Sequence, residues 1–182
     1  MKRKLLIIGH GRHGKDTVAE MLRDHHGYTF ASSSEYVGRK AIWPRIRGWW
    51  GKLLAPSGMK YNTFDECFAD RGNHRDYWGN AISEYNTPDK TRTAAEMLHD
   101  GYDIYVGMRR YDELYAVEDA ELFDAIIWVD RLEHLPPEPI TSMNLNLGDA
   151  TFYLDNNGSL LDLLVAVNLM VEQDFGIGDY EE

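Results

Sequence analysis

The stretch GHGRHGKDT, residues 9–17, decides the fold of this chain. It follows an apolar run at residues 5–8 and precedes a helical pattern that begins at Val18. A glycine, four residues and then Gly-Lys form a loop whose backbone N–H groups surround phosphate oxygens, with a helix N-terminus aimed at them. Because the strand and the helix are both in place, we predict a phosphate-binding loop rather than a glycine-rich structural turn.

The phosphate loop, residues 9–17, predicts an ATP site. Lys15 should reach the β- and γ-phosphates as a positive point charge, and the glycines permit close approach of the backbone. We expect the nucleotide to be bound by Gly9, Gly11, Arg12, His13, Gly14, Lys15, Asp16 and Thr17.

Asp16 occupies the position where Ser or Thr usually holds Mg²⁺. A carboxylate beside a triphosphate repels it unless a cation lies between them, so Asp16 is a candidate ligand for Mg²⁺, directly or through water. Thr17 is a second candidate, through its hydroxyl group. A third interpretation leaves Asp16 as a favourable negative charge at the helix N-terminus.

A second acidic metal ligand usually follows a hydrophobic strand. The run at residues 104–106 ends in Gly107 instead of an acid. Asp130, directly after the run at 125–129, has the right form. Aspartate is also common in strand-end turns, and that interpretation is the more frequent one.

Strands alternate with helices along the chain. Five candidate strands cover residues 4–8, 28–31, 104–108, 125–129 and 151–154. This alternation predicts an α/β fold, the three-layer P-loop NTPase architecture with a mostly parallel five-stranded sheet. We expect one domain over residues 1–182, with a helical insertion at about 33–99 that carries the acceptor site or a lid, and an acidic tail at 174–182.

The composition is that of a globular protein of 182 residues, with 43% hydrophobic residues and a net charge of −11. Such an acidic chain is poorly suited to gripping nucleic acid over a broad surface. The single cysteine, Cys67, excludes an internal disulfide, and no run is long enough to span a bilayer. We therefore expect a cytoplasmic protein with no membrane partner, in the host cytoplasm if the gene belongs to a phage. The sequence leaves a monomer and a homodimer both open.

One segment differs in character from the rest. Residues 37–60 contain six Lys and Arg residues and no acid, together with Trp43, Trp49 and Trp50. Interleaved tryptophans and cations suit a nucleobase stack with a phosphate track. They also suit a loop, or two short helical pieces, whose tryptophans pack on the core, which is the commoner case. Trp43 is a candidate substrate contact.

Phosphoryl transfer depends on positioning and charge stabilisation, so Arg and Lys matter more than nucleophiles. Arg109 follows a strand end and should face the phosphates or the acceptor. Arg71 and Arg75 are four apart and could clamp an acceptor phosphate if that stretch is helical. Asp70 is a candidate base for an acceptor hydroxyl group, although a structural ion pair with Arg71 is as frequent.

Three stretches resemble the deoxynucleoside monophosphate kinases of phages. Residues 14–20, GKDTVAE, are similar to that family's first motif, which has the same Gly-Lys-Asp-Thr. Residues 106–113, VGMRRYDE, resemble its Asp-Val-Arg-Phe-Pro-Asn-Glu block more loosely and depart from it at Gly107. Residues 155–160 resemble the block that enters the last helix, while residues 37–100 match weakly. A related group with the same core comprises the phage kinases that phosphorylate 5-hydroxymethyluracil within DNA.

This resemblance implies an ATP- and Mg²⁺-dependent kinase, with Lys15, Asp16 and Arg109 in catalysis. The expected acceptor is a deoxynucleoside monophosphate; the alternative is 5-hydroxymethyluracil in phage DNA. A further alternative is a nucleotide-binding module that senses ATP without turnover, for which the missing acid at Gly107 is the best support.

Overall fold

Five short strands form one sheet in the computed structural model, which describes residues 2–48 and 59–175. The strands are β1 (Leu5–Ile8), β2 (Phe30–Ser32), β3 (Ile104–Val106), β4 (Ala125–Asp130) and β5 (Phe152–Asp155). Their order is β2-β3-β1-β4-β5, and all four pairings are parallel. The prediction of a mostly parallel five-stranded sheet is confirmed.

The helices described are α1 (Lys15–His26), α2 (Ser33–Val37), α3 (Trp43–Arg47), α4 (Phe64–Ala69), α5 (Arg75–Tyr85), α6 (Arg92–His99), α7 (Tyr111–Asp119) and α8 (Leu160–Asp174). A π-helical turn, Gly38–Ile42, joins α2 to α3, and 3₁₀ turns cover Asp70–His74 and Leu147–Asp149. Over the described ranges, none of the helices has the length and apolar character needed to cross a bilayer.

Two apolar cores cover the two faces of the sheet. Leu5 and Ile7 pack with α1 and α8 on one face, while Leu6 and Ile8 pack with α2, α6 and α7 on the other. This alternation follows from the period of two in a strand, and burial on both faces explains why β1 reads as a continuous apolar run. The expected three-layer α/β fold is therefore confirmed.

The helical insertion has an apolar cluster of its own. Buried residues of this cluster are Ile42, Ile46, Met59, Phe64, Cys67, Trp78 and Ala81. Residues 37–60, which we call the basic segment, are partly helical. The helix continues from α2 through the π-helical turn to Arg47. The remainder of that prediction, including Trp49 and Trp50, lies outside the described residues.

The start of α6 at Arg92 is set by a local turn just before it. The carboxylate of Asp89 accepts hydrogen bonds from the backbone N–H and the hydroxyl group of Thr91, at 2.9 and 2.7 Å. This local side-chain turn competes with the helix, which therefore starts after it.

The strand order places a crevice beside the phosphate loop. β1 lies between β3 and β4, so the segments that follow these three strands meet at the carboxyl edge of the sheet. In open parallel sheets, ligands bind at this edge where the connections diverge to opposite sides.

Candidate active site

The phosphate loop joins β1 to α1 by a backbone path that only glycine follows readily. Gly9 has φ +138°, and a Cβ added there would lie 2.4 Å from the carbonyl oxygen of Val129. Gly14 caps α1 with φ +96°, and a Cβ there would lie 2.3 Å from Asn156 Nδ2. Arg12, with φ 67°, is a non-glycine residue in the same left-handed region. The glycine spacing in the sequence therefore corresponds to positions where a side chain has no room.

Two histidines fix this loop to neighbouring segments. The His13 Nδ1 atom accepts a hydrogen bond from the Arg131 N–H at 3.0 Å, and His10 Nδ1 accepts one from the Glu138 N–H at 3.2 Å. Burial lowers the pKa of both imidazoles, which keeps them neutral at pH 7 and able to accept. Asn156 Nδ2 also donates to the His13 carbonyl oxygen at 2.8 Å. The side chain of His13, one of the residues expected to bind the nucleotide, is fully buried.

Lys15 begins α1 with only 8% of its surface exposed. Its ammonium group donates to the His10 carbonyl oxygen at 2.6 Å. Burial, and then the nearby Arg109 guanidinium, lower the pKa of Lys15 to about 8. The group is still mostly protonated at pH 7. A buried ammonium with so little compensation is well suited to receiving an anion.

Arg109 lies at the same place as the phosphate loop. It follows β3 and donates through Nη1 to Glu138 Oε2 at 2.8 Å. The same carboxylate oxygen accepts the Gly11 backbone N–H at 2.6 Å. Arg75 Nη1 lies 3.8 Å from Glu138 Oε1 and is largely exposed. The structure therefore brings together Lys15, Arg109 and Arg75, with Glu138 among them.

Sequence reasoning missed Glu138. It lies in the strap, our name for residues 131–151, which connect β4 to β5. A usable signal was present, because this connection leaves the carboxyl edge next to the phosphate loop and carries an acid between prolines. The contact between Glu138 and Gly11 could not be predicted, because the two residues are 127 positions apart in the sequence.

The candidate metal ligands offer oxygen atoms near the loop. Asp16 is exposed in the first turn of α1, and Thr17 is partly buried and borders a groove lined by Leu160 and Leu161. Asp130 ends β4 and is 7% exposed. Its Oδ2 accepts from the Tyr153 hydroxyl group at 3.3 Å, while its buried Oδ1 has no hydrogen-bond partner within the described residues. Over residues 2–48 and 59–175, no three His, Cys, Asp or Glu side chains form a ready metal site.

The remaining acceptor candidates make contacts within the insertion. Arg71 donates to the Phe68 carbonyl oxygen at 2.8 Å and lies over the Phe68 ring. Asp70 accepts hydrogen bonds from Tyr61 and Asn73 and lies 3.2 Å from His74 Nε2.

Trp43 packs edge-on against Phe64, with Arg47 above its ring. Arg71 and Arg75 do not reach a common contact, since the 3₁₀ turn ends between them and α5 begins at Arg75.

Comparison with known proteins assigns no family. No protein-family profile matches the chain, and no curated protein matches its sequence. Similar solved structures include an unliganded sugar kinase from Janibacter sp. HTCC2649, with 14% identity, a TM-score of 0.47, and 94% of this chain and 95% of that chain covered.

A second is TT1252 from Thermus thermophilus, with 16% identity, a TM-score of 0.48, and 94% of this chain and 98% of that chain covered. A third is a gluconokinase from Sinorhizobium meliloti 1021, with 14% identity, a TM-score of 0.41, and 97% of each chain covered. Similarities this distant assign no activity to the chain.

Proposed function

We propose that this chain is a P-loop kinase that transfers the γ-phosphoryl group of ATP, with Mg²⁺, to a deoxynucleoside monophosphate. One observation carries the proposal: the cationic groups of Lys15 and Arg109 converge on a glycine loop at the N-terminus of α1. Arg109 is near enough to lower the pKa of Lys15. The Lys15 ammonium donates to the carbonyl oxygen of His10, and Arg109 shares the Glu138 carboxylate with the N–H of the next residue, Gly11.

This convergence suits the chemistry of phosphoryl transfer. Negative charge spreads over the oxygens of the transferred group, and the protein contributes mainly position and electrostatic stabilisation. Loop N–H groups and the Lys15 ammonium would hold the β- and γ-phosphates. Arg109, from the end of β3, would neutralise charge on the group in transit.

Oxygen ligands for Mg²⁺ are available at this edge. Mg²⁺ is commonly held by one or two carboxylates together with substrate phosphates and water. Asp16 and Asp130 fit this chemistry. The buried Oδ1 of Asp130, which has no hydrogen-bond partner in the part of the chain that the structure describes, is an oxygen that a cation would satisfy. Thr17 stays an alternative ligand. Bound Mg²⁺ would offset the repulsion between Asp16 and the triphosphate.

The contacts of the insertion favour a phosphate acceptor over a hydroxymethyl group. A monophosphate is already ionised and needs no base, whereas a hydroxymethyl group must lose a proton. Asp70, the candidate base, is engaged by Tyr61, Asn73 and His74. Arg75, by contrast, lies at the mouth of the phosphate loop, where it could hold the acceptor phosphate.

The paired cations of the basic segment also favour a free nucleotide. Arg39 contacts Glu35 and Asp65, Lys40 contacts Asp100 and Glu96, and Arg45 contacts Glu84. Cations that are engaged by neighbouring acids contribute less to a track for DNA phosphates. These pairs support packing as the role of residues 39–45.

A transfer assay tests the proposed function. ATP labelled at the γ-phosphate is offered with each deoxynucleoside monophosphate, and separately with DNA that contains 5-hydroxymethyluracil. We expect label in a deoxynucleoside diphosphate, because Arg109 and Arg75 suit a phosphate acceptor, whereas Asp70, the candidate base for a hydroxyl acceptor, is engaged by its neighbours. Label retained on DNA would establish the alternative acceptor instead. ATP binding with no transfer to either would leave a nucleotide sensor.

Replacing Asp16 by Ala tests the metal role. We expect the Mg²⁺ concentration for half-maximal transfer to rise about tenfold, as is typical when a carboxylate that supports a metal is lost. Asp24→Ala is the matched control, since Asp24 lies on the same helix and is paired with Arg23. An unchanged Mg²⁺ dependence in Asp16→Ala would contradict the metal role and leave Asp16 as a helix N-terminal charge.

A further inference from the structure

The carboxylate of Glu138 lies inside the phosphate loop. Its Oε2 accepts the Gly11 N–H at 2.6 Å and Arg109 Nη1 at 2.8 Å, and its Oε1 is 3.8 Å from Arg75 Nη1. The carboxylate lies so close to the loop backbone that a Cβ added at Gly11 would be 3.0 Å from Glu138 Oε1. The side chain of Glu138 is only 13% exposed.

These partners are the ones that a bound phosphate would need. Burial raises the pKa of Glu138, but the Arg109 hydrogen bond and charge, the Gly11 N–H and Lys15 together hold it below its ordinary value. The group is therefore ionised at neutral pH. An ionised carboxylate offers acceptor oxygens to the same backbone N–H and guanidinium donors that bind phosphate.

The strap holds Glu138 in this position from several sides. Pro137 and Pro139 restrict the backbone next to it, and its own N–H donates to His10 Nδ1. Further along the strap, the Asn144 N–H donates to the Arg109 carbonyl oxygen at 3.1 Å. The strap is thus docked both on the phosphate loop and on the segment after β3.

We propose that Glu138 is an intramolecular competitor for the phosphate site, which an incoming polyphosphate must displace. Displacement would release Arg109 and Arg75 to contact phosphate oxygens. The strap would thereby couple phosphate binding in the loop to the release of both arginines from Glu138. That the displacing anion is a nucleoside triphosphate rests on the proposed function. The competition itself requires only an anion that binds in the loop.

This competition lowers the apparent affinity for phosphate. Only molecules in which Glu138 has left the loop can bind, so the apparent dissociation constant is the intrinsic one divided by the fraction of open molecules. Removing the charge of Glu138 weakens its hold on Arg109 and raises the fraction of open molecules, so it should tighten binding.

Calorimetric titration of Glu138→Gln with tripolyphosphate, and separately with ATP and Mg²⁺, tests this inference. Gln keeps the size of the side chain but removes its charge. We expect both ligands to bind about tenfold more tightly than to the wild-type protein. Glu133→Gln is the control, because Glu133 is exposed on the same strap and its backbone N–H, not its carboxylate, donates to the Asn157 side-chain oxygen. It should bind like the wild type.

Unchanged or weaker binding in Glu138→Gln, and equally in Glu138→Ala, would overturn the inference. A second measurement uses the wild-type protein alone, in case a variant does not fold. The ¹³C resonance of the Glu138 carboxyl group should shift when tripolyphosphate saturates the protein; an unmoved resonance at saturation would refute displacement.

Failure of the proposed function gives a different pattern. Tighter tripolyphosphate binding in Glu138→Gln without any phosphoryl transfer would uphold the competition and reject the kinase. Transfer to a deoxynucleoside monophosphate with no gain in affinity would uphold the kinase and reject the competition.

Discussion

Replacing Lys15 by Met should abolish phosphoryl transfer and at the same time stabilise the folded protein. Loss of the ammonium removes a charge aimed at the developing negative charge, and we expect the rate to fall about 10³-fold or more. The same substitution removes a charge that is expensive to bury, since Lys15 is 8% exposed and its ammonium bonds only to the His10 carbonyl oxygen among the described residues. We expect the free energy of unfolding to rise by about 1–2 kcal/mol at pH 7.

The gain in stability should depend on pH in a defined direction. Burial lowers the pKa of Lys15 from 10.5 to about 8, so between these values the unfolded chain binds more protons than the folded one. The stability of the wild-type protein then gains from rising pH through that window, because the cost of the buried charge disappears. The advantage of Lys15→Met should therefore be largest below about pH 8 and should vanish toward pH 10.5.

Urea unfolding at several pH values measures this effect. Lys90→Met is the matched control, because Lys90 pairs with Asp112 at 3.0 Å and is partly exposed. Its loss should change the free energy of unfolding by no more than about 0.5 kcal/mol. A Lys15→Met protein less stable than the wild type at pH 7 would show that the buried ammonium contributes to folding rather than opposing it.

Replacing Gly9 by Ala should be among the most damaging single changes in the chain. Gly9 has φ +138°, and the new Cβ would lie 2.4 Å from the Val129 carbonyl oxygen. That oxygen cannot move away easily, since β4 pairs with β1 on one side and β5 on the other. Conformational strain and this backbone clash together should cost about 3 kcal/mol or more.

Thermal or urea unfolding measures the stability of Gly9→Ala, and Gly79→Ala is the matched control. Gly79 lies within α5, and apart from its own helical backbone no atom of the described residues lies within 4 Å of an added Cβ. Ala there should stabilise the protein by about 0.5–1 kcal/mol through helix propensity. A Gly9→Ala protein within 1 kcal/mol of the wild type would show that β1 and β4 do not approach as closely as described.

The sequence predicts the fold well where the signals are local. The apolar run at 5–8, the glycines of the phosphate loop and the helix from Lys15 are contiguous, and burial on both sheet faces follows from the absence of alternation. The carboxyl-edge position of Arg109 follows from its place shortly after β3, which ends at Val106. These inferences need no knowledge of distant contacts.

Contacts between distant segments are what the sequence does not supply. Glu138 meets Gly11 across 127 residues, and His13 accepts from Arg131 across 118. The periodicity of residues 71 and 75 suggested one helical face, but a 3₁₀ turn that ends at His74 separates them. Whether a polar side chain binds a ligand or supports a loop depends on such partners, and no local pattern encodes them.

Calorimetric titration with a non-hydrolysable ATP analogue and Mg²⁺ tests most directly whether residues 9–17 hold a nucleoside triphosphate. We expect one saturable site in the wild-type protein, retained in Lys90→Met and weakened at least about a hundredfold in Lys15→Met, because the loss of a buried charge–phosphate contact costs several kcal/mol. A folded wild-type protein that does not bind the analogue, or a Lys15→Met protein that binds it equally well, would contradict this assignment.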